Sequence, residues 1–192
     1  MFGENEAIFG IDEARNGSPE EIWATVLTYY QTDKCIIQNL PEIRKDSQRL
    51  FRLLSREGRD FRWTRVPKQY YRKFNGTTLD SRHQLAGHII AALVSDFPLS
   101  SSLEKISVYV DGELHTIYRK GQIVLNQPQF IRSCISDALG FSTKISVIGV
   151  PKQRINKTNQ AIRFADGLAS YLHLKNSFTL PEGVSSRYVD IG

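Results

Sequence analysis

Residues 7–19, AIFGIDEARNGSP, decide how this chain is read. Ala7, Ile8, Phe9, Gly10 and Ile11 form a short apolar run, which predicts a buried first strand. The run ends on two carboxylates, Asp12 and Glu13. Residues 15–19, Arg-Asn-Gly-Ser-Pro, have the composition of a turn. Residues 21–30, EIWATVLTYY, are rich in β-branched and aromatic side chains and predict a second strand, the hairpin partner of the first.

Outward from this hairpin, strands and helices alternate. Residues 41–56 carry apolar side chains at near-helical spacing with Arg and Lys between them, an amphipathic helix ended by Gly58. FRWTRV, residues 61–66, alternates apolar and basic and predicts a half-exposed strand. Pro67 is expected to open a helical stretch, interrupted at Asn75-Gly76 and resumed over residues 79–97. ISVYV, residues 106–110, is the next strand and ends in Asp111-Gly112. A short helix over 129–139, a strand over 145–150 (ISVIGV) and a helix over 158–174 complete the pattern. The expected fold is α/β, a partly parallel sheet with helices on both faces. Residues 1–175 read as one domain and 176–192 as a tail, loop or partly disordered.

The bulk properties agree with a folded domain. The chain has 192 residues, 41% of them hydrophobic, enough for a core and too many for a disordered chain. Its net charge of +5 favours anionic partners such as nucleic acid. Cys35 and Cys134 form no CxxC pair and read as small buried hydrophobes in a reducing compartment. The N-terminus lacks the basic flank and long apolar run of a signal peptide, and no stretch is long enough to span a membrane. The sequence thus predicts a soluble, cytoplasmic protein without membrane attachment; it gives no oligomeric state.

Two buried strands each end in an aspartate, Asp12 and Asp111. Beyond the carboxyl ends of parallel strands is where ligands gather. Carboxylates held close there repel and raise each other's pKa unless a cation is present. Asp166 adds a third acid, inside the small, apolar helical segment of residues 163–170, RFADGLAS. Ala165, Gly167 and Ala169 let that helix approach the sheet closely. Glu13 alternates to the opposite side of its strand and reaches the site if the strand ends or twists there. Oxygen ligands of this kind suit Mg²⁺ or Mn²⁺, and two such ions can drive phosphodiester hydrolysis. The plainer reading of each residue is a turn residue, a helix cap or a solvent-facing position.

FGIDEA, residues 9–14, resembles the opening motif of the type 2 ribonucleases H, GIDEAGRG, and VYVDG, residues 108–112, resembles the strand that carries that family's third acidic ligand. The likeness extends in element order over most of residues 7–174. It implies a ribonuclease H-like fold, dependence on Mg²⁺ or Mn²⁺, cleavage of RNA paired with DNA, and Asp12, Glu13 and Asp111 as metal ligands. The turn after the first strand, which in that family touches the backbone around the ribonucleotide, here reads Arg15-Asn16-Gly17. The family's fourth aspartate falls on Asn156, and Asp166 lies within the following helix instead, where other ribonuclease H-like nucleases carry their last acid. The chain therefore reads as a divergent relative.

Lys152, Arg154 and Lys157 follow the strand at 145–150 and are placed to hold a phosphate. The basic and aromatic run of residues 59–73 has the composition of a nucleic-acid contact, or of a solvated strand edge. His83, His88, His115 and His173 share no metal-binding spacing; His115, close after Asp111, is a candidate for proton transfer. The leading expectation is a metal-dependent nuclease acting on the RNA of an RNA–DNA hybrid. The alternatives are a structure-specific DNA nuclease, a non-catalytic nucleic-acid-binding protein, and a small-molecule or protein-interaction domain on the same fold.

Overall fold

Strand β1 (Glu6–Ala14) and strand β2 (Glu20–Thr28) pair antiparallel, with Ile8 opposite Thr28 and Ala14 opposite Ile22. The computed structural model describes residues 6–14, 20–28, 60–67, 69, 79–151, 160–174 and 186–191. Strand β3 (Phe61–Pro67) continues the meander antiparallel to β2. Helix α1 (Leu79–Ser95) then carries the chain across the sheet, and strand β4 (Lys105–Asp111) enters on the other side of β1, parallel to it. Strands β5 (Thr116–Arg119) and β6 (Gln122–Asn126) form a separate two-stranded hairpin. Helix α2 (Gln127–Leu139) leads to strand β7 (Lys144–Val150), parallel to β4, and helix α3 (Gln160–Leu174) follows. Strand β8 (Ser186–Tyr188) lies parallel to β3 at the far edge.

The six-stranded order is β7-β4-β1-β2-β3-β8. An antiparallel meander extended on one side by parallel crossover strands is the ribonuclease H-like mixed sheet. Phe9, Ile11, Val108 and Ile106 on one face pack with Ile89 and Leu93 of α1 and Ile131 of α2. On the other face Ile22, Ala24 and Val26 pack against Phe164, Leu168 and Leu172 of α3. Each fully buried side chain of this size stabilises the fold by about 1.5–3 kcal/mol. Among the described residues no helix is long and apolar enough to cross a membrane.

Several local features differ from the sequence pattern. FRWTRV is half-exposed, but not on the side its residues suggest: Trp63 and Arg65 are partly exposed, whereas Phe61, Thr64 and Val66 are fully buried and Arg62 nearly so. The end of α1 covers this part of the sheet, and Arg62 Nε donates to Asp96 Oδ2 at 2.6 Å while its guanidinium lies 4.3 Å from the Phe97 ring centre. An ion pair made under a helix lets an arginine take a core position. Pro67 is the last residue of β3, and Gln69, the next described residue, is helical, as expected of a helical stretch that opens at Pro67. The β5–β6 hairpin was not foreseen, because its strands are too short to show a period. Ser186–Tyr188, within the stretch read as a tail, pairs with β3 through Phe61↔Ser186 and Trp63↔Tyr188. Cys134 is half-buried beside the core. The expected helix over 41–56, most of residues 68–78, and Cys35 lie outside the described residues.

Candidate acidic site

The pairing of β1 with β4 is parallel, and Ile11 stands opposite Val110. The next residue on each strand is an aspartate, so Asp12 and Asp111 lie side by side where the β1–β4 ladder ends and β4 runs out. Alternation fixes their direction. Phe9 and Ile11 pack into the core under α1 and α2, and Ala14 packs into the core under α3. Asp12 shares the parity of Ala14 and points towards α3.

Helix α3 comes unusually close at this point. A Cβ built on Gly10 would overlap the backbone carbonyl of Ala161. Only glycine allows the helix backbone to rest on the strand backbone there. Ala161, Ala165 and Ala169 continue the small contact stripe, all buried. One turn on from Ala161 and Ile162, half-buried Asp166 joins the two strand-end acids.

The three aspartates act on one another's charge. Asp12 is only 7% exposed. Burial, then the charges of Asp111 and Asp166, push its carboxyl up to about 9 from the ordinary 3.8. The backbone N–H of Glu13 donates to Asp12 Oδ1 at 2.7 Å and pulls the other way. Glu13 itself sits differently. The ladder continues past it to Ala14 opposite Ile22, so the strand neither ends nor turns at Glu13. Its partner across the ladder, Trp23, packs in the α1 and α2 core, and alternation places Glu13 on that side. Its charge still raises the Asp12 pKa, by the smallest of the three acidic contributions.

The donor chemistry fits a hard divalent cation: oxygen ligands only, set near one another, with the Asp12 carboxyl buried among them. Among the described residues no three His, Cys, Asp or Glu side chains stand where they would close on one ion as they are placed.

The other expected site residues divide into described and undescribed. Arg15, Asn16 and Gly17 lie outside the described residues, as do Lys152, Arg154, Asn156 and Lys157. Their anchors are known. Arg15 follows Ala14, the last residue of β1, in the sequence. The basic segment leaves β7 at Val150, the ladder partner of Asp111, so it starts beside the acids. In the basic run of residues 59–73, Arg62 is occupied by Asp96, and Arg65 Nη1 lies 3.4 Å from Glu20 Oε2. His115 packs edge-on to His83, ring centres 5.6 Å apart, and His88 packs on Phe130 with its Nδ1 3.9 Å from Cys134 Sγ. His173 lies in the last turn of α3.

Two contributors were missed from the sequence. Gly10 sets the depth at which α3 docks; a lone glycine inside an apolar strand is a signal of such close approach. Gln127 is buried and ties its own chain segment to His115, a contact that no spacing announces.

No family model and no curated protein matches the chain. Among solved structures, it is similar to the crystal structure of the ribonuclease H2 from Pyrococcus horikoshii OT3 and to the structure of the PCNA:RNase HII complex from Archaeoglobus fulgidus. Each likeness has 18% identity and a TM-score of 0.49, and covers 86% of this chain and 71% of the other.

Proposed function

We propose that this protein is a divalent-metal-dependent nuclease that hydrolyses phosphodiester bonds, with the RNA strand of an RNA–DNA hybrid as its substrate. The observation that carries the reading is the placing of Asp12, Asp111 and Asp166 against one another, from two neighbouring parallel strands and one close-docked helix, with Asp12 buried. The cost of burying a carboxylate among carboxylates is kept in proteins where the cluster holds a cation.

Asp12, Asp111 and Asp166 are the residues that would hold Mg²⁺ or Mn²⁺. When bound, one or two such ions supply an activated water and stabilise the leaving oxygen. The chain supplies the geometry. The Glu13 N–H fixes one oxygen of Asp12. The ladder fixes Asp111 beside it, and α3, resting on Gly10, brings in Asp166 and excludes water from Asp12. Glu13 is the fourth acid of the motif and acts here from the opposite side of its strand. Lys152, Arg154 and Lys157, leaving the strand that ends beside Asp111, would hold substrate phosphates, and the Arg15-Asn16-Gly17 turn would face the sugar backbone. The place of Glu13 is the one observation that favours a second reading, a nucleic-acid-binding protein that does not turn over.

The test is cleavage of labelled RNA–DNA hybrid, embedded-ribonucleotide duplex, single strands and a four-way junction, with Mg²⁺, Mn²⁺ or EDTA. Hybrid cleavage only with metal, abolished in Asp111→Asn, is expected. Junction cleavage alone would make it a structure-specific DNA nuclease. Salt-sensitive binding with no cleavage of any substrate would establish the non-catalytic reading, and cleavage surviving Asp111→Asn would refute the site.

A further inference from the structure

The β5–β6 hairpin has no part in the hydrolytic site and little part in the core. Of its large apolar side chains only Leu125 is fully buried; Tyr118 is 63% exposed, Ile123 59% and Val124 43%. Tyr118 and Ile123 are ladder partners, so they lie side by side on one face, and a register shift next to Tyr118 twists the ribbon there. The tip is Lys120-Gly121, with φ of 50° and 78°. Two successive left-handed residues make the tight turn in which asparagine and glycine are favoured. Lysine pays about 1 kcal/mol or more to adopt that conformation. Among the described residues Lys120 is the one non-glycine with positive φ. Strain of that kind in an exposed turn is a reason to look for a use.

The ribbon is also anchored at its root. At its root the Gln127 N–H donates to the His115 carbonyl at 3.0 Å and the His115 N–H donates to Gln127 Oε1 at 3.1 Å. Helix α2 begins at once, capped by the Asn126 side chain, which accepts from the Gln129 N–H at 3.1 Å. At the other end, Gly112 N–H donates to the Val150 carbonyl, so the connection from Asp111 is held against β7. The hairpin thus follows the strand that carries Asp111 and begins at Thr116, five residues beyond it. Residues 116–126 contain Arg119 and Lys120 and no carboxylate.

We propose that the β5–β6 hairpin docks double-stranded nucleic acid, with Lys120 at its tip meeting a backbone phosphate and the Tyr118–Ile123 face lying against sugars and bases in a groove. An A-form duplex presents a wide, shallow minor groove of sugars and base edges on which an apolar ribbon face can lie, and a cation at the ribbon's tip can meet a backbone phosphate at the rim. A partner protein would meet the same apolar face, but a tip of two cations without an acid, beside a cluster built for a phosphodiester, selects the nucleic acid. The inference rests on the nucleic-acid reading of the acidic site and assigns it a separate docking element.

The experiment uses the full chain in EDTA with a fluorescein-labelled RNA–DNA hybrid, read by anisotropy across a salt series. Tyr118→Ser with Ile123→Ser should weaken binding about tenfold or more. Lys120→Asn, which suits the left-handed turn, should flatten the log–log salt dependence by about 0.9. Both variants change exposed side chains and should melt with the wild type; Lys120→Asn carries the test if the double variant does not. Wild-type affinity in both variants would overturn the inference. So would a wild-type dimer that becomes monomeric in the double variant with hybrid affinity intact, which makes the ribbon a protein interface. The two readings fail separately. Weakened binding by a wild type that never cleaves supports the docking ribbon and refutes the nuclease; metal-dependent cleavage with unaltered binding by the variants does the reverse. A wild type that binds no duplex refutes both.

Discussion

Asp12→Asn should make the metal-free protein more stable, by an amount that depends on pH. Asparagine is close in shape to a protonated aspartate and carries no charge into the site. In the wild type, burial and the neighbouring acids hold the Asp12 carboxyl at about 9, against 3.8 for an ordinary aspartate. Below pH 3.8 folded and unfolded chains both carry the proton and the group has no effect. Above it the unfolded chain loses the proton and the folded chain keeps it. Stability therefore falls as pH rises, by about 1.4 kcal/mol per unit, until the folded group ionises near pH 9. From 3.8 to pH 7 that amounts to about 4 kcal/mol, a large part of a domain's total stability. Asp12→Asn removes the loss. Urea unfolding of both proteins in EDTA, at pH 5 and pH 7, measures it. The gap between variant and wild type should widen by about 3 kcal/mol between the two pH values, at about 1.4 kcal/mol per unit. Parallel pH dependences in the two proteins would refute the burial of a protonated Asp12, and with it the convergence of the acids.

Three further outcomes follow from the same geometry. Saturating Mn²⁺ should raise the wild-type Tm, with about 2.7 kcal/mol at a hundredfold excess over Kd, and leave Asp12→Asn with Asp111→Asn unmoved; thermal melts with and without EDTA decide. Gly10→Ala should destabilise the fold by at least about 1–3 kcal/mol, because its Cβ meets the backbone of Ala161, and should release Trp fluorescence changes at lower urea than the wild type. Arg62→Ala strands Asp96 beneath the end of α1 and should cost about 3–5 kcal/mol by chemical denaturation, whereas removing both partners together should cost less than the sum of the single changes.

Much of the frame was visible in the order of residues. The apolar runs at 7–11, 106–110 and 145–150 are long enough to show as buried strands, and each became one. Their endings on Asp12 and Asp111 were readable because parallel strands deliver their last residues to one edge. Asp166 was readable from its contrast with the small residues around it. What did not show depends on partners far along the chain. Arg62 alternates like a surface residue, and nothing nearby announces that Asp96 and Phe97 will cover it. Glu13 was expected to reach the acids if its strand ended or twisted, but the ladder carries on through Ala14. Three-residue β8 has too little sequence for any period, and its place depends on β3 offering an open edge.

The acids come from three distant parts of the chain, and that has a consequence for how the protein is made. During synthesis Asp12 emerges early, Asp111 much later, and Asp166 only with the last described helix. The β1–β2–β3 meander can form from local contacts, but β4 must insert beside β1, and α3 must then seat on Gly10. Contacts this distant form slowly. The mutual repulsion of the carboxylates is felt when α3 docks and brings Asp166 to the other two. On the metal-binding reading proposed above, a divalent ion present during folding would relieve it there and so speed the completion of the nascent chain.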